Sequence, residues 1–155
     1  MTVSAELLIA LLVAGSLPAS ADPVRLGLIA GDPVAVTLLV PFASSWSLEL
    51  AAGGSPGSTR SAVASLVLLH DLTAPFAIGV GALVPTLGVG TRLALRQVRD
   101  ATDRAELTIG LRVPVGMAWR HRDGFELYFE AAPGAELADP PRLSFEGGFG
   151  VRVDL

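Results

Sequence analysis

From Arg142 to Leu155 the chain alternates with a period of two. Odd positions carry Leu143, Phe145, Phe149, Val151, Val153 and Leu155, and even positions carry Arg142, Ser144, Glu146, Gly148, Gly150, Arg152 and Asp154. Successive side chains of a strand point to opposite faces, so this segment has one bulky apolar face and one small or ionic face. The division recurs upstream. Phe125, Leu127, Phe129 and Ala131 stand against Glu126, Tyr128, Glu130 and Glu136; Leu107, Ile109, Leu111, Val113, Val115, Met117 and Trp119 stand against Glu106, Thr108, Gly110, Arg112, Gly116 and Arg120. Such a period specifies strands rather than helices.

Shorter alternations occupy residues 24–28, 34–42, 46–51 and 89–98, and Ser61 to His70 is apolar on both faces. Turn-forming clusters separate the segments: Gly31-Asp32-Pro33, Ala43-Ser44-Ser45, Gly53 to Gly57, Asp100 to Asp103, His121 to Gly124, and Asp139-Pro140-Pro141. This is the spacing of an antiparallel meander of eight strands. Residues Ala74 to Thr86 form one further apolar piece, bracketed by Pro75 and Pro85 and weakened by Gly79 and Gly81. Single-chain bacterial barrels have even strand numbers, so a long turn or a strand extension is expected there.

Alternation alone does not say which face meets solvent. A soluble barrel is apolar inside, and a membrane barrel is apolar outside. The interior of an eight-stranded barrel is just wide enough for side chains to fill it. Gly, Ala, Ser and Thr with a few charges suit that space, and they would make a poor solvent coat. Trp46 and Trp119 fall near turns, where interfacial aromatics belong. Open sheet edges do not occur in hydrocarbon, so the last strand is expected to pair with the first.

The N-terminal residues read as a signal peptide. Leu7 to Val13 is a short apolar run, too short to span a bilayer as a helix, and Ala19-Ser20-Ala21 is an A-x-A cleavage pattern. The expected domains are therefore a leader at 1–21 and a barrel at 22–155. There is no cysteine, which removes disulfides and thiolate metal sites. The net charge of −4 is scattered and all eleven basic residues are Arg; no basic patch suggests nucleic acid.

The segments GLIAGDPVAVTLLV, LTIGLRVPVGMAW, FELYFEAAPGAEL and FEGGFGVRVDL resemble small, mostly uncharacterised bacterial outer-membrane β-barrel proteins. The order is similar: an Arg-x-Pro-x-Gly strand at Arg112 to Gly116, a Glu-rich strand ending Ala-Pro-Gly at Gly134, then a Gly-rich closing strand. The resemblance implies an eight-stranded up-and-down transmembrane barrel in the outer membrane of a Gram-negative bacterium. The partners would be the bilayer and, during biogenesis, the barrel-assembly machinery. Leu155 stands where such chains commonly end in an aromatic residue. The resemblance implies no catalytic activity, cofactor or small-molecule substrate, and a monomer is expected.

The residues of most interest are the inward charges, chiefly Arg112, Glu126, Glu130, Glu136, Arg142 and Arg152, with Arg25, Glu49 and Glu146. An unpaired buried charge is very costly, so a network that plugs the lumen is expected. If Glu136 lies opposite Arg142, then Glu126 falls opposite Arg152, and Arg112 and Arg120 come within diagonal reach of Glu126 or Glu130. Such a network could gate a small conductance or be a static polar core that fixes register; the narrow interior favours the second. Glu126 and Glu130 as a hydrolase pair have no evident cleft. His70 and His121 lack metal-ligand spacing, and Gly79-Val80-Gly81 and Gly88-Val89-Gly90 lack the βαβ context of a nucleotide fingerprint. The preferred function is a structural or envelope-interaction barrel. The alternatives are a narrow gated pore and a soluble exported barrel that binds an apolar ligand as lipocalins do.

Overall fold

The computed structural model describes residues 22–55, 61–72, 75–98, 104–137 and 140–155. The leader, with its cleavage positions Ala19 and Ala21, lies outside the described residues. Ten strand segments follow in order: β1 (Arg25–Asp32), β2 (Val34–Ala43), β3 (Trp46–Ser55), β4 (Ser61–Asp71), β5 (Phe76–Ile78), β6 (Gly81–Val98), β7 (Arg104–Arg112), β8 (Val115–His121), β9 (Phe125–Glu136) and β10 (Arg142–Asp154). All pair antiparallel, and β10 pairs with β1 from Arg25↔Asp154 to Asp32↔Gly147, which closes the ring.

The ten segments fill eight positions. β4 and β5 run in series along one edge of β6, and β7 and β8 run in series between its other edge and β9. Pro114 separates β7 from β8: it has no N–H to give to a ladder. The register is the same on both sides of it, so the alternation continues unbroken.

Of the expected piece at 74–86, the described residues 75–86 form a hairpin extension of two neighbouring strands. β6 begins at Gly81, eight residues before the expected start at Val89, although it contains Pro85. The reason is local. The Pro85 carbonyl accepts a hydrogen bond from Leu72 N–H, so the proline nitrogen faces the same edge of β6. That edge is the break between β4, which ends opposite Thr86, and β5, which begins opposite Leu83. The missing donor falls where no strand asks for one. Gly79, with φ of 61°, makes the turn between β5 and β6.

The register sets the tilt. Arg25 lies opposite Leu39, and successive partners around the ring are Glu49, Val67, Gly90, Arg112, Gly134 and Ser144. Ser144 is three residues beyond the last β1–β10 pair, level with position 35, so the circuit closes ten residues along from Arg25. Ten residues of stagger over eight strands gives a tilt of about 40° at roughly 3.3 Å per residue and 4.8 Å between strands. Because the stagger is even, every residue on that circuit faces the lumen. Leu39, Glu49, Val67 and Arg112 are accordingly buried.

The opposite face is apolar and exposed around the whole ring, for example Leu28 (58%), Val89 (57%) and Phe149 (72%). The two ends differ. Where Arg25 meets Asp154, connections are two or three residues long, at 44–45, 79–80 and 122–124. At the other end, the loop end, they are Pro33 alone and the five-residue stretches 56–60, 99–103 and 137–141.

Candidate functional site

Among the described residues, six arginines and six acids fill the lumen. Thr37, Ser65, Thr108 and a series of inward glycines leave room for them. Toward the turn end, Arg152 bridges Glu49 and Glu126, with Arg152 Nη1 2.6 Å from Glu126 Oε1. Glu126, fully buried, also accepts a hydrogen bond from Arg120 Nε at 2.9 Å and lies 3.5 Å from Arg25 Nη1. Arg120 reaches on with both terminal nitrogens to Asp71, at 2.6 and 3.1 Å. Toward the loop end, Glu136 accepts from Arg92 at 3.0 Å and from Arg96 at 2.5 Å, and Arg112 pairs with Glu130 while donating to Ser65 at 3.2 Å. Glu146 is in ionic contact with Arg92 and lies 3.8 Å from Arg112, but it accepts no well-directed hydrogen bond from either.

Tyr128 stands between the two groups. Its ring lies under the Arg152 guanidinium, 3.6 Å from centroid to Cζ, and its hydroxyl is 3.4 Å from Thr37 Oγ1. The ring covers Gly150, its cross-strand partner. A void of about 20 Å³, room for a single water, lies beside Leu39, Glu49, Leu69, Arg120 and Tyr128.

Of the residues expected in the network, Arg112, Glu126, Glu130, Glu136 and Arg152 lie in the lumen, and Glu136↔Arg142 and Arg152↔Glu126 are cross-strand partners. Arg142 is the exception. Its side chain is exposed at the loop-end rim, and it has no ion pair among the described residues. Glu136 turns instead to Arg92 and Arg96 on β6, reaching over Gly110 of the intervening β7, which lies opposite both Arg92 and Glu136. Those two stand on the polar side of the 89–98 alternation, opposite Leu93 and Leu95, so their facing was legible. Their partner was not, because a period of two does not give the register of β6, β7 and β9 that sets Glu136 level with Arg92.

Trp46, Trp119 and Phe125 of the outer face lie at the turn end, each beside a histidine. Trp46 stacks on His70 with centroids 4.3 Å apart, and His121 stacks on Phe125 at 4.5 Å with Trp119 edge-on to both. Both histidines are thus engaged with rings. Among the described residues no group of three or more His, Asp or Glu is placed to hold a metal.

No protein-family model matches the chain, and no curated protein matches it. Among solved structures, it is similar to the N-terminal β-barrel domain of Pseudomonas aeruginosa OprF. The TM-score is 0.69 at 13% identity, over 85% of this chain and 95% of that one. The likeness is one of fold. It supports a β-barrel architecture, and the ionic lumen is described from this chain's own residues.

One consequence concerns the Tyr128–Gly150 pair. A Cβ built on Gly150 would fall inside the van der Waals envelope of the Tyr128 ring, which Arg152 and Thr37 hold in place. Gly150→Ala should therefore destabilise the barrel by roughly 1–3 kcal/mol. Tyr128→Ala in the same chain should recover part of that loss. Urea unfolding in detergent micelles measures both. An alanine at 150 that is neutral would mean that the ring is free to move.

Proposed function

We propose that this chain is an outer-membrane β-barrel of a Gram-negative bacterium, exported with residues 1–21 as a cleaved leader. In this reading it is a monomer in lipid, with a structural or envelope-interaction role, no reaction to catalyse, and a lumen closed by its own side chains. One observation carries the reading: the inside and outside are inverted relative to a water-soluble protein. Monomeric soluble proteins rarely expose contiguous apolar patches beyond a few hundred Å², whereas here Leu, Val, Ile and Phe ring the whole outer wall while six arginines and six acids are inside. Two further features agree. The outward residues of β10 from Leu143 to Val153 span ten positions, about 25 Å along the axis at this tilt, the height of a barrel's apolar band. The Trp and His rings at the turn end stand where an interfacial girdle would be.

The protein should fold only with detergent or lipid, and should migrate faster on a gel unheated than boiled. Purification as a stable monomer in detergent-free buffer would overturn the membrane reading. In planar bilayers the folded protein should show no resolved conductance steps at neutral pH, since ion-paired side chains fill the narrow interior. Reproducible steps from the wild-type protein would instead favour the narrow gated pore.

A further inference from the structure

The wall of the barrel is not equally tall all round. β1 ends at Asp32 and β2 begins at Val34, joined by Pro33 alone. β10, by contrast, extends toward the loop end beyond Gly147, the partner of Asp32, through five more residues to Arg142. Among the described residues, Arg142 to Glu146 pair with β9 on one side and with nothing on the other. Their free edge borders a notch above Pro33.

The notch opens on a cleft of about 250 Å³ whose lining mixes the two faces of the wall. Arg92, Arg96 and Glu146 line it from the lumen. Leu143 and Phe145, 93% and 74% exposed, line it from the outer surface. In a bilayer an unpaired edge must find hydrogen-bonding partners, so something polar is required beside these apolar side chains.

The charges say what. Glu136 and Glu146 are buried and matched to Arg92, Arg96 and Arg112. Among the described residues lining the cleft, the charged groups left unmatched are Arg142 and, on the β1 side of the notch, Asp32. Beside them is the part-exposed guanidinium of Arg96, whose charge Glu136 already balances but which keeps donors to spare. We propose that the notch binds an amphiphile from the surrounding bilayer whose headgroup carries a phosphate next to a primary ammonium. The phosphate meets Arg142 and Arg96, whose forked donors suit phosphate oxygens, and the ammonium meets Asp32. Free N–H groups of the β10 edge add donors, and an acyl chain runs along Leu143 and Phe145.

The inference rests on the membrane reading, and the test separates the two. The folded barrel in octyl glucoside is titrated with dihexanoyl phosphatidylethanolamine while backbone amide chemical shifts are followed. Saturable shifts should centre on Asp32 and on Arg142 to Gly147. Binding should weaken at least tenfold in Arg142→Gln, and at least tenfold for O-phosphoethanolamine, which has the headgroup without chains. Dihexanoyl phosphatidylglycerol, which lacks the ammonium, should bind more weakly than the ethanolamine lipid, and Asp32→Asn should remove that difference. Both substitutions sit at the rim, and heat-dependent migration checks that each variant folds. Shifts that never saturate, shifts spread evenly over the apolar band, an undiminished Arg142→Gln, or a bare headgroup that binds as well as the lipid would each overturn the proposal. A barrel that folds in detergent yet shows no saturable shift fails the notch alone. A chain that is soluble without detergent fails the membrane reading first.

Discussion

Arg152→Met should cost about 3–5 kcal/mol of folding free energy, the range for breaking a buried ion pair by removing one partner. The reason lies with the partners left behind. Glu126 would still have Arg120 at 2.9 Å and Arg25 at 3.5 Å. Glu49 would have none among the described residues, because Arg152 is the one cation that reaches it. Loss of the Arg152–Tyr128 contact contributes less, about 0.5–2 kcal/mol, and methionine keeps most of the arginine's apolar bulk. Glu49→Met added to Arg152→Met should therefore recover at least half of the loss, since a well-packed apolar pair in place of a buried ion pair is often neutral. Urea titrations of the wild type, both single variants and the double variant in micelles close the cycle. Simple additivity of the two single losses would show that the stranded carboxylate is not what destabilises the variant.

The same pair marks how far the sequence could be read. Outside β4, whose residues 61–70 are apolar on both faces, which residues face inward was legible, because the period of two survives the break at Pro114 and the even stagger returns every strand to the same facing. The pairing of Glu126 with Arg152 followed from loop length and register. Arg142 shows the limit. It has the facing of a lumen residue, but facing does not give height, and β10 rises above the end of β1 so that Arg142 clears the ionic core. Height depends on the stagger summed around all eight strands, which no single segment encodes. The partnership of Arg92 and Arg96 with Glu136 was hidden for a related reason: it passes over β7 and depends on the register of three strands. Pro85 misled in the other direction. A proline inside an apolar run argues against a central strand, yet β6 accepts it because its neighbour on that edge is itself interrupted. The ionic core, then, was visible as a set of residues and invisible as a set of contacts.

Val89→Arg should cost about 2–4 kcal/mol, the penalty for arginine at the lipid-facing midplane of a membrane barrel. Val89 sits at the middle of β6 and is 57% exposed. On a wall that faces water, an arginine at such a site would change stability by no more than about 0.5 kcal/mol. A second site sharpens the contrast. Leu107 is 65% exposed, more than Val89, but lies near the loop end of β7. There the lipid penalty falls to about 0–1 kcal/mol, because the long side chain reaches the interface. Exposure alone ranks the two sites one way, and depth in a bilayer ranks them the other. Unfolding free energies in phosphatidylcholine vesicles, measured for both variants, decide between them. A clear loss at position 89 with little at 107 requires hydrocarbon around the middle of the barrel. Equal and small losses at both would mean that the apolar wall meets water or a partner protein, and the inverted interior would then need a different cause.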